Sequence, residues 1–280
     1  MINKKYFVAP ALMIAVFLAV FSPLQVTAIT YGFVDSANTF PNTGAFIVRT
    51  AAGKIYPICT GTLIAPTVFL TASHCTAYFT DELAPGGLQA FVSFDGQLPF
   101  GNLTNSSTNL IPVSHVVTNP AYNRRQNDPG DIGLLIVNSG FTAGITTATL
   151  PAAGLLDQLD ARNGLRGTTF TAVGYGVQNR SVGGGQPFFQ DLNPVPRMFS
   201  HSSFDALNPA WLRLSQNPAT GDGGTCYGDS GGPNFMNVNG TRTLVATTVT
   251  GDTACRATNV VYRLDTSAAR TFLGQYVSLP

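Results

Sequence analysis

Short apolar, β-branched and aromatic runs recur along the chain, each bounded by Gly, Pro, Asn or Asp. Runs of that length and composition predict strands. In the first half they fall at residues 45–49, 60–64, 67–72, 90–94, 113–117 and 132–137, with Ala52-Gly53 and Ala65-Pro66 as breaks. In the second half they fall at 169–176, 197–200, 211–214, 244–249 and 260–264. Residues 140–163 between them are loop-like and alanine-rich, which divides the chain into halves over 29–150 and 151–280. Helical spacing emerges only at the end, where Ala269, Phe272, Leu273, Tyr276 and Val277 follow the cap candidates Asp265-Thr266-Ser267. Many short strands without intervening helices predict an all-β chain, a sandwich or a pair of barrels, with a short C-terminal helix.

The first 28 residues break this pattern. Lys4 and Lys5 precede an apolar run over residues 6–21, and the segment ends Val26-Thr27-Ala28, the layout of a cleaved signal peptide. The run is shorter than the roughly 20 residues that a membrane helix needs. Export to an extracellular or periplasmic compartment makes two disulfides the simplest use of the four cysteines, and three pairings exist. Spacing favours Cys59 with Cys75 and Cys226 with Cys255, one local loop in each half. No CxxC or HExxH spacing occurs, so no zinc site is expected. The 15 basic and 14 acidic side chains leave a formal net charge of +1, which gives no footprint for nucleic acid or an anionic membrane. Asn102 and Asn105 each open an N-x-Ser/Thr sequon in a polar loop.

Candidate chemistry centres on Gly228-Asp229-Ser230-Gly231-Gly232-Pro233. A serine hydroxyl needs a base to take its proton and preorganised donors for the oxyanion it generates. Flanking glycines permit backbone conformations that aim the N–H groups of Gly228 and Ser230 into one pocket. The run also fits a nucleophile elbow, whose partners follow in the order serine, acid, histidine. All three histidines, His74, His115 and His201, precede Ser230, so an elbow enzyme would have no base. The order histidine, aspartate, serine remains. His74 closes an apolar strand beside Cys75, and Asp131 stands at the mouth of another, where a partly desolvated carboxylate needs a donor such as an imidazole. Asp128 is a nearby competitor, but it precedes Pro129 in a turn. His115 reads as structural and His201 as a surface residue.

Three separate motifs resemble the trypsin/chymotrypsin-like serine protease family. They are Leu70-Thr71-Ala72-Ser73-His74-Cys75, Asp131-Ile132-Gly133-Leu134-Leu135 and the Ser230 run, in the family's order. The resemblance implies two packed antiparallel Greek-key β-barrels with the site between them. It implies a Ser230 nucleophile, a His74 base, an orienting Asp131 and an oxyanion hole at Gly228 and Ser230. It also implies a new amino terminus at Ile29, entering the protein to pair with Asp229. By alignment, Gly224 falls at the floor of the specificity pocket and Gly251 and Val260 near its walls, so cleavage is expected after small or medium apolar residues. Asp222 and Asp252 are the nearest acids in sequence. The expected protein is a monomeric secreted endopeptidase without cofactor, with a protein or peptide substrate and a protein inhibitor as partners. A catalytically silent binding protein on this fold and an esterase with the same triad are the alternatives.

Overall fold

The computed structural model describes residues 29–99, 108–177 and 194–280. Residues 1–28, read from the sequence as a signal peptide, and both sequons, at Asn102 and Asn105, lie outside the described residues. Strands β1 (Thr43–Arg49), β2 (Ile55–Ala65), β3 (Val68–Thr71), β4 (Gln89–Ser93), β5 (Ile111–Thr118) and β6 (Gly133–Val137) close a barrel in the order β1-β2-β3-β6-β5-β4. A second set, β7 (Thr169–Gly174), β8 (Met198–Leu207), β9 (Trp211–Ser215), β10 (Pro233–Val238), β11 (Thr241–Gly251) and β12 (Thr258–Arg263), runs β8-β9-β12-β11-β10-β7 and closes because β7 pairs with β8. Every pairing in both barrels is antiparallel. Closure removes the edges that open sheets expose.

The two-residue period of a strand sorts side chains into distinct cores. Phe46 and Val48 of β1 point into the first barrel with Phe69, Val92, Leu135 and Val137, while Ala45 and Ile47 face outward onto Phe91, Leu98 and Tyr175. Leu70 and Leu134, next to Phe69 and Leu135 in sequence, leave that barrel and join Val173, Phe235, Leu244 and Tyr262 of the second half in one shared core. Each such side chain contributes about 1.5–3 kcal/mol on burial. The barrels are therefore packed face to face, and the seam between them is apolar.

Helices are more numerous than the spacing predicts. The strand leading to His74 ends at Thr71, and α1 (Ser73–Tyr78) places His74 in its first turn, continuing into a π-helical turn at Phe79–Leu83. Helix α2 (Leu155–Asp160) lies in the stretch read as loop. Both are six residues long, too short for a helical period to stand out. Strand β10 also goes unannounced, since Asn234 and Asn237 interrupt its apolar pattern and Pro233 opens it. Helix α3 (Ser267–Leu273) is shorter than its spacing suggests, with Thr266 Oγ1 accepting from Ala269 N as its cap, and Tyr276 lies beyond it, exposed. Its Phe272 and Leu273 pack into the seam rather than onto the second barrel alone.

The chain crosses the seam at both barrels' openings. Thr30 bridges Gly224, and Phe33–Val34 pairs with Met198 and Phe199 on β8, so the residues that precede the first barrel lie on the second. In exchange, Val195–Pro196 pairs with Gln97–Leu98. The fully buried Arg197 fastens this crossing, donating to Asp35 Oδ2 at 2.9 Å, Phe94 O at 3.0 Å and Thr43 O at 3.2 Å.

Candidate active site

Helix α1 begins without a side-chain cap at Ala72. Asp131 supplies the missing acceptor: its Oδ1 accepts from His74 N at 2.8 Å, where a carboxylate also meets the positive end of the helix. Its Oδ2 lies 3.0 Å from His74 Nδ1. One buried carboxylate thus fixes both the backbone and the ring of His74. Ser73 Oγ donates to Ile132 O at 2.7 Å and accepts from Asn119 N at 3.0 Å, and Asn119 Nδ2 donates to Gly130 O at 3.0 Å, so both residues flanking Asp131 are tied. Asp128 is taken elsewhere, accepting from the Tyr262 hydroxyl at 2.5 Å.

The Ser230 turn is held from the first barrel by Thr60. Thr60 N donates to Ser230 O at 2.8 Å, and Thr60 Oγ1 donates to Gly228 O at 2.9 Å. The second barrel holds the other side, with Gly231 N donating to Thr248 O at 2.8 Å. With both carbonyls drawn toward Thr60, the N–H groups of Gly228 and Ser230 make no hydrogen bond among the described residues. Gly228 has φ +95° and Gly231 φ +81°, and a Cβ on Gly231 would fall 2.7 Å from Ala72 N. Only glycine lets the turn approach the start of α1 this closely.

Asp229 is fully buried behind the turn. Its carboxylate accepts from Gly176 N and from Cys226 N, each at 2.8 Å. Burial pushes its pKa up to about 7, and the two N–H donors offset only part of that. No cation pairs with it among the described residues. Ile29 is buried beside Met198 with φ +56°, and no hydrogen bond joins it to Asp229.

His74 and Ser230 face one cavity of about 270 Å³, lined further by Thr225, Tyr227, Val249 and Asp252. Gly251 also lines it, whereas Gly224 and Val260 do not. Asp222 is buried away from it and accepts from Ser203 Oγ and Thr220 Oγ1. His115 is exposed against Ser114 Oγ, and His201 is exposed against Thr171 Oγ1. A larger hollow, about 940 Å³, lies on the second barrel around Arg263 and Asp265 and contains no residue of this cluster.

A family model described as Trypsin matches residues 29–270. The chain belongs to the trypsin family. Members act on protein or peptide substrates, and the family places this chain among the serine-type peptidases. Both disulfides join the expected partners, Cys59 with Cys75 and Cys226 with Cys255. The sulfurs of Cys59 and Cys75 lie within 4.8 Å of the His74 ring nitrogen, but in a disulfide they are not thiolate ligands for a metal. No helix among the described residues is long and apolar enough to cross a membrane.

Three residues of this site carry no motif of their own in the sequence. Thr60 is visible only as the neighbour of Cys59, Ser73 only as the neighbour of His74, and Asn119 lies outside every motif. Their roles come from contacts over long sequence separations.

Proposed function

We propose that this chain is a secreted serine endopeptidase in which Ser230 attacks the peptide carbonyl and His74 takes its proton. The observation that carries the reading is the shared cavity: His74 from the first barrel and Ser230 from the second line the same space. Asp131 on the far ring nitrogen fixes the tautomer, with Nδ1 donating to the carboxylate and Nε2 left as the base, and stabilises the imidazolium once it forms. The protonated His74 then returns the proton to the leaving amine, and water hydrolyses the acyl-enzyme by the same route. The unpartnered N–H groups of Gly228 and Ser230 are the donors for the oxyanion, worth about 3 kcal/mol each in the transition state.

Signal cleavage after Ala28 gives Ile29 a free α-amine. That cation would pair with Asp229, a buried carboxylate that otherwise lacks one, so the exported chain needs no further propeptide. The small and neutral residues Gly224 and Gly251 support cleavage after small or medium apolar residues. Two disulfides fit an oxidising compartment.

Fluorophosphonate labelling of the exported protein, beside Ser230→Ala and His74→Ala, tests the chemistry. Labelling of the parent alone, with turnover of casein and peptides, is the expected result. Ester turnover without peptide turnover would favour an esterase. A folded protein that begins at Ile29 and takes no label would be a silent binding module. Amino-terminal sequencing that finds a different first residue would remove the Ile29–Asp229 pairing.

A further inference from the structure

The two glycines expected at the floor and wall of the specificity pocket do not face empty space. A Cβ added to Gly224 would come within 2.7 Å of Gln216 Cδ, and nearer still to Gln216 Cβ and Oε1. A Cβ added to Gly251 would meet Thr258 O at 2.6 Å, with Gln216 Nε2 next to it at 3.7 Å. Gln216 therefore fills the space that faces Gly224 and reaches toward Gly251, directly behind the residues that line the cavity.

Gln216 follows β9 and is fully buried. Its Nε2 donates to Asp252 Oδ1 at 3.1 Å, and Asp252 lines the cavity that holds His74 and Ser230. The backbone N–H groups of Arg256, Ala257 and Thr258 all donate to the same carboxylate. Burial works to raise the Asp252 pKa, but these donors and the Gln216 amide outweigh it and hold the group below its ordinary value. Asp252 is thus an ionised anchor whose Oδ1 is occupied by four donors. It fixes the amide with nitrogen toward the carboxylate, which leaves Oε1 buried without a partner. An unsatisfied buried oxygen is unfavourable, and an aliphatic side chain of the same volume would avoid it. The amide is retained at a cost that core packing alone does not explain.

We propose that Gln216, clamped by Asp252, sets substrate choice by closing the pocket behind Gly224, so that only a short uncharged side chain fits before the scissile bond. The proposal rests on the serine peptidase reading above. A long or aromatic side chain would have to displace a clamped amide. A lysine or arginine would find the floor blocked and the one acid of the wall already engaged.

The test is kcat/KM of the exported protein on peptides differing only in the residue before the scissile bond, with Ala, Val, Leu, Phe and Lys compared. The parent should favour Ala and Val. Gln216→Gly should raise the Phe-to-Ala ratio about 10- to 100-fold, the range that a few methylenes command in a pocket. Gln216→Leu keeps the volume but loses the clamp to Asp252, and should raise the Phe-to-Ala ratio by less than Gln216→Gly does. Should the glycine variant fail to fold, Gln216→Ala removes the same amide and should move the ratio in the same direction. A parent that favours Phe or Lys, or a labelled, folded Gln216→Gly or Gln216→Ala with an unchanged profile, overturns the proposal while leaving the peptidase reading intact. A parent that takes no fluorophosphonate label overturns that reading instead.

Discussion

Each barrel brings one buried aspartate to the seam, and the two are treated in opposite ways. Asp131 of the first barrel, 4% exposed, has a ring nitrogen and a helix N-terminus to serve, both from His74. Asp229 of the second barrel, fully buried, receives two backbone N–H groups and, among the described residues, no cation, and burial pushes its pKa up to about 7. The first carboxylate is complete as folded. The second has only backbone donors among the described residues, so the two barrels differ here even though their strand topology matches.

Disabling the His74–Ser230 pair should have the largest effect. Ser230→Ala or His74→Ala should each lower kcat on a peptide substrate by about 10⁶-fold, and the double variant should be no worse, because the residues act as a unit. A double variant much slower than either single would break that unity. Asp131→Asn should cost about 10⁴-fold, since an amide presents the wrong hydrogen-bonding face to Nδ1. A loss under tenfold would remove Asp131 from the ring's support and leave it a helix cap.

The buried Asp229 carboxylate has a pH signature. With Ile29 still joined to Ala28, the folded state keeps a proton on Asp229 that the unfolded chain releases near pH 4. The resulting stability is full below about pH 4 and declines as pH rises to about 7, by on the order of 4 kcal/mol. Chemical denaturation between pH 4 and 8 should show this slope in the unprocessed chain and lose it in Asp229→Asn. A free Ile29 amine should also flatten it, by stabilising the carboxylate. Equal slopes in all three forms would show that Asp229 is not the titrating group.

Smaller effects probe the turn that Thr60 holds across the seam. Gly228→Ala forces a Cβ onto φ +95° and rotates an oxyanion donor, so kcat should fall about 100-fold with KM little changed. Thr60→Val keeps the shape but removes the hydroxyl that donates to Gly228 O and accepts from Tyr175 N. A loss of about tenfold in kcat is expected, about 1.4 kcal/mol, within the range for the hydroxyl's two hydrogen bonds. Unchanged kinetics in Thr60→Val would place the alignment of the turn wholly within the second barrel.

The strands of the first barrel were legible because short runs of β-branched, aromatic and other apolar residues there end at turn residues. The motifs at His74, Asp131 and Ser230 were legible because each is a local run whose residue types are limited by close packing. Local spacing also named both disulfide partners. Other features were decided only by the tertiary structure. Short helices α1 and α2 hold too few residues to show a period. Asp131 is seen to cap α1 only once a strand end and a helix start 57 residues apart meet. The place of Gln216 is further still from the sequence: a glutamine outside any motif fills the space beside Gly224 and reaches toward Gly251, and an aspartate 36 residues away accepts from its amide. Local chemistry is written in residue type and period. Which side chain occupies a shared volume depends on how two closed barrels pack, and no single stretch of the chain contains that information.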